Sequence, residues 1–256
     1  MNWQPLDCHA HTRFSDGALT VAELVEHASR RNVRPSVSDH ISRDVARSIT
    51  TVDGVREYLD ALDAFQVLRA GEFCWHDALW RDIPSELTVR FTHRIGSLHA
   101  VRLSDRCLVH SFSREIPHDL SPDTYMEAHA RALELLASEM PVDILAHPTL
   151  VALPFRSVEV DALWTDEREQ RMVDALFNAG IAFEISSRYP PHQRLVRRAA
   201  ARGVRLSLGS DGHTAEQVAN IAAPLALARS LGVADVDLYD PVRHGSKTGN
   251  AATSDA

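Results

Sequence analysis

Seven times along this chain a short apolar run carries histidine, aspartate or glutamate at or near its end and gives way to a stretch with helical spacing. The runs are Leu6 to His11, Ser36 to His40, Val67 to Glu72, Arg94 to His99, Val142 to His147, Ile181 to Ser186 and Val204 to His213. Runs this short and this apolar suit strands covered on both faces, and intervening helices make the strands parallel. The pattern predicts an α/β fold: one barrel rather than a doubly wound open sheet, because polar residues at the C-terminal ends of barrel strands converge on a single mouth. No long polar linker divides the chain, so one domain is expected over 1–240, with a small, polar and flexible C-terminal tail over 241–256.

Local signals place most of the helices. Thr20-Val21-Ala22-Glu23 is a capping box that opens a helix ending near Asn32. Val55, Leu59, Leu62 and Phe65 mark a second helix, and Ser121-Pro122 starts a third that runs to about Ser138. Met172, Leu176 and Phe177 lie on a helix closed by Gly180, and a further helix runs from about His192 to Gly203. The last helix is expected over 215–230, interrupted near Pro224. Residues 42–51 read as a long loop, 75–89 as loop with short helix, and 103–120 as an irregular insertion.

Charge and cysteine usage narrow the function. With 35 acidic against 27 basic residues the formal net charge is −8, which gives no electrostatic surface for a long nucleic acid. Lys247 is the one lysine, so the body of the chain holds no amine for Schiff-base chemistry. Arginine supplies the cationic forks suited to phosphate or carboxylate. Cys8, Cys74 and Cys107 form no Cys-x-x-Cys pair, and no apolar run is long enough to span a bilayer. A reduced, cytoplasmic setting without membrane association is expected.

The opening stretch carries the chemistry. A strand alternates its side chains, so Asp7, His9 and His11 share one face while Cys8 and Ala10 take the other. Two imidazoles at i and i+2 can grip one metal ion, and Gly17 lets the Ser15-Asp16-Gly17 turn bring a carboxylate back toward them. Asp39 and His40, Glu72, His99, His147, Glu184, Asp211 and His213 stand at later strand ends. Imidazoles mixed with carboxylates suit zinc, manganese or iron better than an all-oxygen calcium site. Ser210 lacks the Gly-x-Ser-x-Gly elbow, which argues against a serine hydrolase.

These positions together resemble the polymerase and histidinol phosphatase (PHP) superfamily, in its histidinol-phosphatase-like branch. Asp7-x-His9-x-His11 with Ser15-Asp16-Gly17 is similar to its first motif and Ser38-Asp39-His40 to its second. Gly71-Glu72, Gly96-Ser97-Leu98-His99, Leu145-Ala146-His147-Pro148 and Leu208-Gly209-Ser210-Asp211-Gly212-His213 follow in the family's order, with Gly212 where alanine is common. The resemblance implies a distorted seven-stranded β/α barrel with its metal site at the C-terminal strand ends, and three divalent transition-metal ions drawn from zinc, manganese and iron. It implies that His9, His11, Glu72 and Asp211 hold the first ion. Glu72, His99 and His147 would hold the second, and Asp16, His40 and His213 the third.

By the same likeness Glu72, Asp211, His99 and His147 become the catalytic candidates, and Asp7 and Asp39 carboxylates that orient imidazoles. Glu184 is similar to a strand-end acid that lies near substrate or makes a helix contact. Three divalent ions against three carboxylates leave positive charge matched by a phosphate dianion and a hydroxide, so hydrolysis of a small phosphate monoester by a metal-bridged hydroxide is expected. Histidinol phosphate or a nucleotide phosphate would be such a substrate. Arg188 and Arg13 are the candidate phosphate binders, and Arg114 with His110 and His118 a candidate lid or substrate wall. A small-nucleotide or nucleic-acid phosphodiesterase and a noncatalytic metal-binding module are the alternatives, and oligomeric state is open.

Overall fold

The structure, a computed structural model, describes residues 3–247. Its first half runs β1 (Leu6–Asp7), α1 (Val21–Arg30), β2 (Arg34–Val37), β3 (His40–Ile41), α2 (Val52–Leu62), β4 (Leu68–Arg69), β5 (Glu72–Cys74), α3 (Leu79–Asp82), α4 (Ser85–Thr88) and β6 (Ile95–Ser97). A hairpin of β7 (Ala100–Ser104) and β8 (Cys107–His110) follows, then α5 (Pro122–Glu139), β9 (Ile144–Leu145), α6 (Val160–Leu163), α7 (Asp166–Ala179) and β10 (Ala182–Ser186). The chain continues with α8 (Gln193–Arg202), β11 (Leu206–Gly209), α9 (Ala222–Ser230) and α10 (Pro241–His244).

The start and stop signals act as the sequence suggests. Thr20 accepts from the Glu23 N–H while the Glu23 carboxylate accepts from the Thr20 N–H, closing the capping box of α1. Such a cap stabilises a helix by about 1 kcal/mol. Ser121 caps α5 ahead of Pro122, and Gly180 ends α7 in the left-handed region at φ 65°. Each helix buries its apolar stripe, as Leu24 and Ala28 do on α1 and Leu195, Val196 and Ala199 do on α8.

Apart from the hairpin, every strand pair is parallel. One sheet has the order β1-β2-β4 and a six-stranded sheet the order β11-β10-β9-β6-β5-β3. Backbone hydrogen bonds join the two sheets at one flank, where Cys8 N–H donates to Leu208 O at 2.9 Å and Asp211 N–H to His9 O at 2.8 Å, tying the chain beyond β1 to β11. Elsewhere the sheets are linked by the chain itself, as β2 leads into β3 and β4 into β5, and the pairing carries on across these joins with Ser38 N–H to Ala10 O at 2.9 Å and Glu72 N–H to Asp39 O at 3.0 Å.

Four expectations need correction. The run from Val67 to Glu72 is not one strand ending in glutamate: it breaks at Ala70-Gly71, and Glu72 opens β5 opposite His40 and Ile95. The segment after His99 is an antiparallel hairpin over its first half, with a register shift between Arg102 and Ser104, because the paired Val101 and Val109 both turn inward ahead of the Asp105-Arg106 turn. The last helix starts at Ala222, not 215. Asp7 draws in the Ala219 N–H at 3.0 Å with Ala219 at φ 58°, which stops a helix there, and Pro224 falls in the first turn of α9, where no N–H is required. The tail boundary at Pro241 is too early: Pro241–His244 is helical, and Ser246 Oγ and Lys247 N–H donate to Asp143 at 2.9 and 2.7 Å. Residues 248–256 lie outside the described residues. Among the described residues no helix is long and apolar enough to cross a membrane.

Candidate metal centre

All nine residues expected to bind metal stand close together, His40 and Glu72 as the first residues of β3 and β5 and the others in the segments that follow strands. His9 and His11 project from one side of the chain beyond β1, while Cys8 and Ala10, which alternate with them, are buried in apolar clusters. Gly17 makes the return of Asp16 possible. Its N–H meets Thr12 O at 2.9 Å, and a β-carbon there would collide with the His11 carbonyl.

The donor atoms fall into three adjoining groups. His9 Nε2 lies 3.0 Å from His11 Nε2, which in turn lies 3.3 Å from Asp211 Oδ1, and Glu72 Oε2 stands 3.4 and 3.6 Å from the two imidazoles. Glu72 Oε1, His99 Nε2 and His147 Nε2 form a nearly equilateral triangle with sides of 3.2, 3.0 and 3.2 Å. Asp16 Oδ1 lies 3.2 Å from His213 Nε2 and 3.6 Å from His40 Nε2. Ligands bound at about 2.0–2.2 Å to one ion stand roughly 3.0–3.5 Å apart, so these spacings match shared cations. His11 also turns Nδ1 toward Asp16 at 3.9 Å, and His40 Nδ1 approaches Glu72 Oε2 at 2.7 Å.

Three buried polar atoms of the cluster make no well-directed hydrogen bond: His11 Nδ1, and the pair His40 Nδ1 and Glu72 Oε2, which meet at 2.7 Å without hydrogen-bond geometry. Orphaned polar atoms in a dry interior are costly, and a cation among them would supply the missing interaction. The electrostatics agree. Burial opposes ionisation of Glu72, yet His40, His99 and His9 hold its carboxyl well below the usual range. Burial, and then the nearness of His40, pushes the His11 imidazole down to about 3, the neutral form a ligand needs. For His9 and His99 burial acts in the same direction, but it is overcome by Glu184 and Glu72 at His9 and by Cys74 and Glu72 at His99, which raise both well above normal. Excess negative charge of this kind is what divalent ions neutralise.

The groups behind the donors differ from expectation. Asp7 orients no ring: its carboxylate accepts from the Ser210 and Ala219 N–H groups at 2.8 and 3.0 Å and from Ser210 Oγ at 2.6 Å. Asp39 likewise takes the Thr12 N–H at 2.8 Å and the Thr12 and Ser15 hydroxyls at 2.6 Å each. Both carboxylates fasten ligand-bearing loops. Glu184 is the one that orients an imidazole, with Oε1 2.7 Å from His9 Nδ1 and Oε2 accepting from the His147 N–H at 2.5 Å. Cys74 holds His99 from behind, Sγ to Nδ1 3.0 Å. Sequence reasoning passed over Cys74, although strand alternation puts it on the face of Glu72.

The donors open into a cavity of about 370 Å³ whose wall includes Arg188, Tyr189, Phe112, His110, Asp44 and Arg47. Arg188 Nη1 lies 2.5 Å from His213 Nδ1, on the cavity wall. Arg13 is not there: its Nε donates to Ala18 O at 2.8 Å and its guanidinium turns toward Glu23, because the Ser15-Asp16-Gly17 turn carries the side chain outward. Of the expected lid residues only His110 reaches the cavity, while Arg114 and His118 do not line it. His147 and Asp211 have φ of 30° and 49°, and non-glycine residues in that region mark backbone held under strain by its surroundings. No family model matches the chain, and no curated protein matches it.

Proposed function

We propose that the protein is a metal-dependent hydrolase of small phosphate monoesters, built on a distorted seven-stranded β/α barrel like that of the PHP superfamily. Taking β2 with β3 and β4 with β5 as single interrupted strands, the order runs β1, β2/β3, β4/β5, β6, β9, β10, β11, and the parallel bridge Ala10–Gly212 returns it to the start. The observation that carries the functional reading is Glu72. Its two oxygens meet different donor groups, Oε1 toward His99 and His147 and Oε2 toward His9, so nine ligating side chains make one polynuclear set.

The donor set fits zinc, manganese or iron: His9, His11, Glu72 and Asp211 would hold one ion, Glu72, His99 and His147 a second, and Asp16, His40 and His213 a third, with His11 close enough to join the third group and His40 close enough to join Glu72 and His99. Bound there, such ions would supply Lewis acidity toward a phosphoryl oxygen and lower the pKa of water. The chain's own groups do the rest. Glu184 and Cys74 fix the His9 and His99 rings through their Nδ1 atoms. His213 Nδ1 lies 2.9 Å from Asp211 O as well as beside Arg188, and the tautomer that donates to that carbonyl leaves Nε2 free to ligate. Arg188 is thereby released toward a phosphate oxygen at the cavity wall, where a guanidinium makes a two-pronged contact. Phe112 and Tyr189, with ring centroids 6.1 Å apart, form an aromatic part of the cavity wall.

A cavity of this size suits a small leaving group. The test is turnover of metal-reconstituted protein on histidinol phosphate, a nucleoside monophosphate, a nucleotide with two separate phosphates and an unactivated diester. Monoesters should dominate in kcat/KM, and Arg188→Ala should lower it about tenfold to a hundredfold on them. Preference for the diester would reject the monoesterase reading.

A further inference from the structure

Beside the nine-residue cluster stands a second set of donors that it does not use. Asp44 lies on the loop after β3, His76 on the loop after β5, and His110 at the end of β8. His76 Nε2 is 2.6 Å from Asp44 Oδ2, and His110 Nδ1 is 3.5 Å from that same oxygen. The donor atoms all lie within 4.8 Å of one another, and the imidazole rings are nearly perpendicular at 85°.

We propose that Asp44, His76 and His110 form a separate site for a zinc-like divalent ion on the rim of the cavity. Two imidazoles and one carboxylate are a zinc-type donor set that leaves coordination positions open. Ordinary hydrogen bonding accounts for only half of the arrangement. A neutral His76 donating to Asp44 satisfies that pair, but His110 at 3.5 Å is too far for a good hydrogen bond and is spaced as a fellow ligand would be. The site is also held in shape without an ion. The His76 side chain is only 3% exposed. Ser42 Oγ donates to Asp77 Oδ2 at 2.5 Å, and the Arg43 N–H reaches the same oxygen at 3.1 Å, which pins the loop of Asp44 to the loop of His76. Asp44 and His110 both line the cavity, so the open positions face the space that the main cluster faces.

The experiment is a comparison of chains. Wild type, Asp44→Ala and His110→Ala are stripped with chelator, dialysed to saturation against zinc, and analysed for zinc per chain, with circular dichroism as the control for folding. Asp44 and His110 are 40% and 45% exposed at the side chain, so both variants should fold, and Asp44→Asn and His110→Gln serve as gentler replacements. Each variant should bind one ion fewer than wild type. Anomalous diffraction at the zinc edge should place a peak among Asp44 Oδ2, His76 Nε2 and His110 Nδ1. Equal zinc content in wild type and folded variants, or the absence of that peak at saturating zinc, overturns the proposal. The wild-type total tests the main centre, whereas the difference between chains tests the rim, so the two readings fail separately.

Discussion

Glu184→Gln isolates what orients the metal ligands. Glu184 is fully buried, and its two oxygens hold different groups, with Oε1 facing His9 Nδ1 at 2.7 Å and Oε2 accepting from the His147 N–H at 2.5 Å. Glutamine keeps the shape but has one acceptor oxygen, so its amide nitrogen must face one of these two donors. One charge-assisted hydrogen bond is lost, worth about 1.5–3 kcal/mol, and the first or second donor group loses its fixed ligand. The expected weakening of metal affinity is therefore roughly tenfold to a hundredfold, the range usual for groups that orient a ligand from behind. Competition titration of zinc against a chromophoric chelator reads this directly, and thermal unfolding of the stripped protein reports any general loss of stability. Gly209→Ala should reproduce the effect by steric means, because its β-carbon would collide with Glu184 Oε1 and meet His9 Cβ at 3.0 Å. Wild-type zinc affinity in a folded Glu184→Gln protein would refute this account of the site.

Glu72→Ala should lose more bound metal and more kcat than His213→Ala, since Glu72 meets two donor groups and His213 serves one; near-native turnover in a folded Glu72→Ala chain would remove the bridge from the scheme. His129, outside the cluster, links stability to pH: burial pushes its imidazole down to about 3, so below an unfolded value of 6.5 only the unfolded chain takes up the proton. Its contribution is complete above that pH and falls by about 2 kcal/mol on reaching roughly pH 5. Denaturant unfolding of wild type and His129→Leu across this range should show a shallower fall in the variant, and identical slopes would show that His129 is not the linked group.

Much of the donor cluster was legible because several of its positions follow from periodicity and strand ends, whereas the grouping of particular residues around shared ions came from the family resemblance. Alternation places His9 and His11 together, and the apolar runs deliver His99, His147 and Asp211 without any knowledge of partners. Lengths and joins were less legible. The break at Ala70-Gly71 moves Glu72 from beyond a strand to its first residue, and nothing local in Val67-Leu68-Arg69 announces it. The hairpin after β6 was hidden by Arg102, Ser104, Asp105 and Arg106, whose polarity reads as loop although the paired Val101 and Val109 both turn inward on either side of the turn.

Least legible were the carboxylates that bind backbone. Asp7 sits at the right spacing to support an imidazole, and alternation does place it on the face of His9. Its oxygens are instead taken by the Ser210 and Ala219 N–H groups, a pairing across more than 200 residues. Holding both ends of that segment turns the chain back on itself and stops a helix from forming at Ala219. Between the two anchors Asp211 is carried at φ 49° to within 3.3 Å of His11 Nε2. A carboxylate that stands behind the donor groups thus decides where one of the clustered donors stands, and the requirement comes from closure of the fold, which local sequence does not record.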